Sequence, residues 1–242
     1  MNYERQNFAS ADDLAAAAAA AWLTAVEAAG GGGHRFTVAL SGGRFVQTLF
    51  RHVVRLAREK ETRWDHVHFF WADERCVPPD HTDSNFKLAQ ENLFSPLGIP
   101  AGNLHRLRGE LDPAEAVRQA NDDFMRSVSG GEFGFPALDL VLLGMGEDGH
   151  VASLFPLAGS AVENGTAPFL AIYDSPKPPP RRISLSYPMI GAARNVWVLI
   201  TGAGKADALQ ESLKMGGKTP LARVLRDRKG SKLIIYADFL NF

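Results

Sequence analysis

Apolar residues fall along this chain in two rhythms. Short, nearly unbroken runs come at Phe36–Leu40 (FTVAL), Val67–Trp71, Leu138–Leu143, Phe169–Tyr173, Ile183–Ser186, Val196–Ile200 (VWVLI) and Lys232–Tyr236. Runs that short and that apolar predict buried strands of the kind found in parallel sheets, although Asp139 interrupts the third of them. Between them the spacing turns helical. Ser10 to Asp13 has the form of a capping box, with an alanine run, Trp22, Leu23 and Val26 continuing the helix until Gly30–Gly33 stop it. From Phe45 to Glu59, Val46, Leu49, Phe50, Val53 and Leu56 share one face. Asp83 is expected to cap a helix over Ser84–Phe94, and Asp112-Pro113-Ala114-Glu115 is a strong helix start for a segment ending near Val128. Two further helices are predicted at Lys205–Lys214 and Thr219–Arg228.

The polar residues gather where strands end. Ser41-Gly42-Gly43-Arg44 follows the first apolar run and opens a helix. Such a turn is a natural anion site, because glycines let backbone N–H groups approach and the helix dipole favours negative charge. A plain strand-to-helix turn has the same composition. Asp73-Glu74-Arg75 follows the second run at its end. Gly202-Ala203-Gly204-Lys205 is a second Gly-rich turn with a cation at the helix start. It lacks the glycine spacing and the Ser or Thr of a P-loop, but the lysine can pair with phosphate as a point charge.

The stretch from Leu138 to Pro156 (LDLVLLGMGEDGHVASLFP) organises the rest. A strand leads into Gly144, Gly146 and Gly149, with His150 directly after and a short helical pattern running to Phe155 before Pro156 ends it. Ligands in open α/β sheets sit at the carboxyl ends of strands, which makes His150 a candidate for chemistry. A turn-capping histidine is the bland alternative. The stretch also matches G-x-G-x-x-G, but Pro156 leaves too little helix for a dinucleotide site, and Glu147 and Asp148 would face the pyrophosphate. His66 and His68 share a strand face, yet no third ligand has a recognisable spacing, so packing or surface is expected there rather than a metal.

Composition narrows the classes. The chain has 242 residues, enough for one large α/β domain or two small ones. Its 26 Lys and Arg against 27 acids give no sign of a nucleic-acid or membrane partner. One cysteine, Cys76, excludes an internal disulfide and fits a reducing compartment. The seven alanines at Ala15–Ala21 follow Asp12 and Asp13 and lack a basic flank, so they are not read as a signal peptide. No apolar run reaches spanning length, and a cytoplasmic protein is expected.

Order and spacing of these strand ends resemble the 6-phosphogluconolactonase family. The likeness is most specific in FFWADERCVPPDHTDSNFKLAQENLF (69–94) and GMGEDGHVASLFP (144–156), with RRISLSYPMIGAARNVWVLITGAGK (181–205) supporting it. The resemblance implies a Rossmann-like α/β three-layer sandwich with a mostly parallel central sheet, forming a single domain over 1–242. It implies hydrolysis of 6-phosphogluconolactone in the pentose phosphate route, with a sugar phosphate as the partner and no cofactor or metal. His150 would be the general base. Ser41, Gly42, Gly43, Arg182 and Lys205 would hold the phosphate, and Arg75 would face the lactone or the phosphate. Asp73 lies in the same set of binding residues. Asp148 or Glu147 is expected to orient the imidazole, and Arg75 or backbone N–H groups to meet the charge on the carbonyl oxygen. Arg44 departs from the Ser or Thr that commonly follows the two glycines. The related glucosamine-6-phosphate deaminases resemble the chain at Asp73 and Asp148–His150, but carry a glutamate after the histidine where this chain has Val151–Pro156. A non-catalytic sugar-phosphate sensor is the alternative of another class. The oligomeric state stays open.

Overall fold

The computed structural model describes residues 3–131, 136–157, 159–228 and 232–239. Strand β1 (Glu4–Asn7) comes first, followed by helix α1 (Ala11–Gly31). Ser10 caps α1 by accepting from the Asp13 N–H, while its hydroxyl donates to the Asp13 carboxylate. By length and composition α1 could cross a membrane, contrary to the expectation that no segment would. Its Leu14, Ala18, Trp22, Leu23 and Val26 are instead buried in the protein core.

β2 (Phe36–Leu40) leads into α2 (Arg44–Glu59), then β3 (Val67–Trp71). β3 runs almost without a break into β4 (Asp73–Arg75). The residue between them, Ala72, donates to Leu40 of β2 and accepts from Leu185, so the chain passes there from one sheet to another. The expected helix over 84–94 is three pieces: α3 (Asn85–Ala89), a π-helical turn (Gln90–Phe94) and α4 (Ser95–Leu97). Ser84, not Asp83, caps it, its hydroxyl accepting from the Lys87 N–H. α5 (Pro113–Ser127) starts at its predicted cap, Asp112. β5 (Leu140–Gly144), α6 (Ser160–Glu163), β6 (Phe169–Ile172), β7 (Arg182–Leu185), α7 (Tyr187–Ala192), β8 (Asn195–Ile200), α8 (Ala206–Leu213), α9 (Pro220–Asp227) and β9 (Lys232–Ala237) complete the order.

Six strands form the central sheet in the order β1-β9-β8-β5-β2-β3, every pair parallel. Right-handed crossovers in that order put α1 and α2 on one face and α5, α7, α8 and α9 on the other. The helix contacts agree, with α1 against α2 and both α7 and α8 against α9. A smaller antiparallel sheet, β4-β7-β6, stands beside the carboxyl end of β3. The core is aliphatic and aromatic, with Trp22, Trp71, Phe50, Phe69, Phe70 and Tyr236 among its largest buried side chains.

Asp139 explains its own place in an apolar run. It precedes β5, and its carboxylate accepts from the Thr37 N–H and hydroxyl, each at 2.8 Å, and from Arg194 at 2.9 Å. It therefore joins β2, β5 and β8 at their amino ends. The order also reverses between β2 and β5: from β2 the chain moves outward to β3, from β5 toward β8 and β9. That crevice is the topological switch point, where open α/β sheets bind ligands.

Candidate active site

A cavity of about 390 Å³ opens at the carboxyl ends of β2, β5 and β8. Every expected binding and catalytic residue except Asp148 borders it: Ser41, Gly42, Gly43 and Arg44 after β2; Asp73 and Arg75 on β4; His150 after β5; Arg182 on β7; Lys205 before α8. Asp148 reaches it through His150.

The stretch after β5 is not the short helix the spacing suggested. Val151 bridges antiparallel to both Met145 and Leu154, and Ala152 has a positive φ of 50°. Val151, Leu154 and Phe155 are buried at a spacing that imitates a helix, but the backbone is a tight double turn. Nor does a helix follow Gly149, so the dinucleotide pattern lacks the element it needs.

This turn folds His150 back on Asp148. The imidazole Nδ1 lies 2.5 Å from Asp148 Oδ1, and the His150 N–H also points to that oxygen at 3.3 Å. A carboxylate accepts only, so it fixes the proton on Nδ1 and leaves the Nε2 lone pair free. Burial pushes the His150 pKa below its ordinary value, against the pull of the Asp148 hydrogen bond and charge. Burial also acts against the Asp148 carboxylate, but the hydrogen bond and charge of His150 outweigh it and the pKa falls. Together the directions describe a neutral imidazole beside an ionised carboxylate. The Phe155 ring packs against the imidazole at 4.5 Å between centroids, tilted by 34°, and the Arg182 guanidinium covers Phe155 at 5.5 Å.

Strand alternation divides the expected acid-acid-base run. Asp73 and Arg75 border the cavity, whereas Glu74 does not. Asp73 is 5% exposed and accepts from the Ser153 hydroxyl at 2.7 Å. Arg75 is anchored by Nη1 to the Asp83 carbonyl at 2.7 Å, while its buried Nε–H has no acceptor. What Arg75 offers the cavity it borders is its guanidinium charge, since the Nε–H itself is enclosed by protein. Glu74 is 2% exposed and takes donors from the Arg75, Asn85 and Phe86 N–H groups and the Ser84 hydroxyl. Burial pushes its pKa up to about 7 against those donors. It clamps the 84–86 segment to β4, and Asn85 donates to the Asp73 carbonyl at 2.9 Å.

Asn85 in turn explains a glycine. A Cβ on Gly42 would stand 1.8 Å from Asn85 Oδ1, and Gly43 has a φ of 110°. The turn therefore needs both glycines, one for space and one for conformation. Arg44 sits in the first turn of α2, exposed at the cavity rim. Lys205 closes a 3₁₀ turn (Ala203–Lys205) entered by Gly202 at φ 91°. Burial lowers the Lys205 pKa, with Asp238 and Glu147 opposing and Lys177 and Arg44 adding to the fall.

Two expectations change in detail. The Ser41 hydroxyl donates to the Leu142 carbonyl at 2.8 Å, so its proton ties β2 to β5 and only its lone pairs remain. Arg182 is 4% exposed and its nitrogens are engaged: Nε with Pro179 O, Nη2 with Lys177 O and Pro178 O, Nη1 with Ser153 Oγ at 3.4 Å. Its charge borders the cavity, but its donors shape the wall. His66, just before β3, meets the Val26 carbonyl, and His68 on β3 joins His105, which meets Asp123. These are packing roles, and no cluster of metal-ligating side chains occurs among the described residues.

The sequence matches the family described as glucosamine-6-phosphate isomerases/6-phosphogluconolactonase over residues 9–234. The chain belongs to that family. A probable chloroplastic 6-phosphogluconolactonase 3 of Oryza sativa subsp. indica is 42% identical over 184 residues, 73% of this chain. The chain spans 55% of the length of that relative. The 6-phosphogluconolactonase of Mycobacterium tuberculosis is 38% identical over 192 residues, 76% of this chain and 74% of its own. The structure of 6-phosphogluconolactonase from Trypanosoma brucei superposes with a TM-score of 0.84 at 29% identity, covering 98% of this chain and 96% of that one. Family membership accounts for the fold, with its parallel sheet and the crevice between β2 and β5.

Proposed function

We propose that this protein hydrolyses 6-phospho-D-glucono-1,5-lactone to 6-phospho-D-gluconate, with His150 as general base. The observation that carries the reading is the imidazole held by Asp148 in a cavity whose other walls are two glycine turns with cations. The named activity of the relatives supports it.

Lactone hydrolysis is acyl transfer to water. Nε2 of His150 takes a proton from water as the oxygen attacks C1. Asp148 stabilises the imidazolium that forms. The carbonyl π electrons move onto oxygen, where the charge of the Arg75 guanidinium on the cavity wall favours them. Collapse of this intermediate breaks the bond from C1 to the ring oxygen, which takes the proton back from His150. Gly42 and Gly43 backbone N–H groups, Arg44 and Lys205 grip the phosphate. That end is remote from the breaking bond, so the grip positions the ring. The proposed reaction uses no group from outside the chain and its substrates. A cytoplasmic setting belongs to the same proposal.

The test is hydrolysis of freshly made lactone, read by coupled oxidation of the product, for wild type and His150→Ala. Only the excess over spontaneous opening counts. A large excess, lost in a folded His150→Ala protein, is expected. No wild-type excess would overturn the reading, and ammonia released from a hexosamine phosphate would put the deaminase reaction in its place.

A further inference from the structure

Next to Arg182, which lines the cavity, lies a cation that the motifs did not single out. Between β6 and β7 the chain turns through Ser175-Pro-Lys-Pro-Pro-Pro180. The turn is closed on itself: the Ser175 N–H donates to Pro180 O, and the Ser175 hydroxyl joins both the carbonyl and the N–H of Lys177. Arg182 holds it from beneath, through the carbonyls of Lys177, Pro178 and Pro179 at 3.0–3.1 Å. Arg182 lies on Phe155, and Phe155 lies on His150. The backbone of Lys177 is thus joined through Arg182 and Phe155 to the ring of His150, the end at which the proposed base would meet the lactone. Lys205, with Gly204 facing Glu147, borders the same cavity from the turn after β8.

The side chain of Lys177 is exposed and makes no ion pair among the described residues. Its charge nevertheless acts on His150, on Asp148 and on Lys205, which come from two other loops. An ammonium on a flexible four-carbon stem is a compact point charge that can reach a developing anion and withdraw again. Arg75 and Arg182, by contrast, are fixed in the wall by their hydrogen bonds.

We propose that Lys177 is a substrate-contacting cation of the lactonase reaction, folding over the cavity mouth to pair with the negative charge that forms on the C1 carbonyl oxygen. This rests on the reading of the site as a lactonase. The step adds no reactant: water attacks C1, His150 holds the proton, Lys177 faces the oxyanion, and the ring oxygen leaves with the proton. The product then carries a carboxylate at the same place. The ammonium pairs with it until the exposed side chain swings away.

The experiment compares wild type, Lys177→Met and Lys177→Arg. Methionine matches the four-atom stem and removes the charge, and the Lys177 side chain is exposed, so its exchange is not expected to unfold the protein. Loss of one electrostatic partner of an oxyanion predicts a kcat about tenfold lower in Lys177→Met, below the about hundredfold of a fixed donor, with KM changed less than kcat. Lys177→Arg is expected to recover most of it. Independently of turnover, the His150 ring titration followed by NMR in the intact protein is expected to move to higher pH in Lys177→Met. His150 feels Asp148, Lys177 and Asp73, and only the repulsive one has been removed. An active wild type with unchanged kcat in Lys177→Met, or a loss confined to KM, overturns the assignment. So does an unmoved His150 titration. A wild type with no excess hydrolysis would sink the lactonase reading itself, and this proposal with it.

Discussion

Adding one methyl group at Gly146 tests whether the seat of the imidazole governs the chemistry. Gly146 does not use a left-handed backbone, so alanine is conformationally acceptable there. The obstacle is space. A Cβ would stand 2.1 Å from both Nδ1 and Cε1 of His150 and 2.7 Å from Asp148 Oδ1. Ordinary contacts between such atoms are about 3.5 Å or more, so the ring must retreat by about 1.4 Å. The hydrogen bond from Nδ1 to Asp148 is 2.5 Å long and ends within such a displacement. Retreat is limited on another side by Phe155, whose ring centroid is 4.5 Å away. A misplacement near 1 Å costs about a hundredfold in rate, so Gly146→Ala is expected to lose about 10²-fold or more in kcat/KM. Overpacking adds about 1–3 kcal/mol of destabilisation. For a chain of this size that is a fall in Tm of about 2–12 °C, which leaves the protein folded at room temperature. Gly102→Ala, where a Cβ meets nothing within 4 Å, controls for the exchange of glycine as such. Lactone hydrolysis and a thermal melt on the same preparations decide the matter. A Gly146→Ala protein with wild-type kcat/KM would show that the Asp148–His150 geometry does not govern the reaction.

Two further outcomes follow from the same contacts. Asp148 raises the pKa of His150 against burial, so the acid limb of kcat/KM, which wild type should already show below the usual histidine range near 6.5, is expected to move lower still in Asp148→Asn. The asparagine also loses the charge that stabilises the imidazolium, and kcat should fall about 10²-fold or more; an unmoved limb with full kcat would refute the pairing. Glu74 tests the clamp beneath the site. Its folded pKa, near 7, stands above its ordinary 4.5. The stability linked to that shift is therefore full below about 4.5 and lost as pH rises through about 7. Urea melts of wild type and Glu74→Gln between pH 5 and 8 should show the wild type losing stability relative to the variant as pH rises. Parallel profiles would place Glu74 ionised throughout.

The major strands and helices were legible because each carries its own signal. β2, β3, β5 and β8 are short apolar runs followed by glycine or charge, and α5 begins at a proline behind its cap. β1 was not legible. Its sequence, ERQN, is polar, and it joins the sheet as an edge strand through backbone bonds to β9 alone. The second sheet was hidden for a related reason: three residues, Asp73–Arg75, read as the end of β3, and only their pairing with β7 makes them a strand. The turn after His150 was misread because short apolar runs do not distinguish a helix from a compact loop by spacing. Likewise the strand ends pointed to residues that border one cavity but not to their partners. Nothing local announces that Ser41 binds Leu142, or that Arg182 binds the proline turn that carries Lys177.

These long-range partners explain how a loop without a helix can hold a base in place. Position within about 0.5 Å is what a catalytic group needs, and loops are ordinarily the least able to supply it. Here the 145–155 loop is pinned from three directions. The Gly149 carbonyl accepts from Leu221 at the start of α9, and Thr219, the cap of that helix, fills the space a Cβ on Gly149 would need. Ser153 donates to Asp73 on β4, while its N–H meets Ser184 on β7. Met145 and Val151 close the base of the turn. The small antiparallel sheet therefore does more than extend the fold. It carries Asp73 and Arg75 on one strand and Arg182 on the next, and through Ser153 it fixes the loop that carries His150. Ser153 thus ties the loop that carries His150 to the sheet that carries Asp73, Arg75 and Arg182. The proposed phosphate grip belongs to the separate glycine turns after β2 and β8. Such a division lets the grip of one end be tuned by residues such as Arg44 without disturbing the geometry of the other.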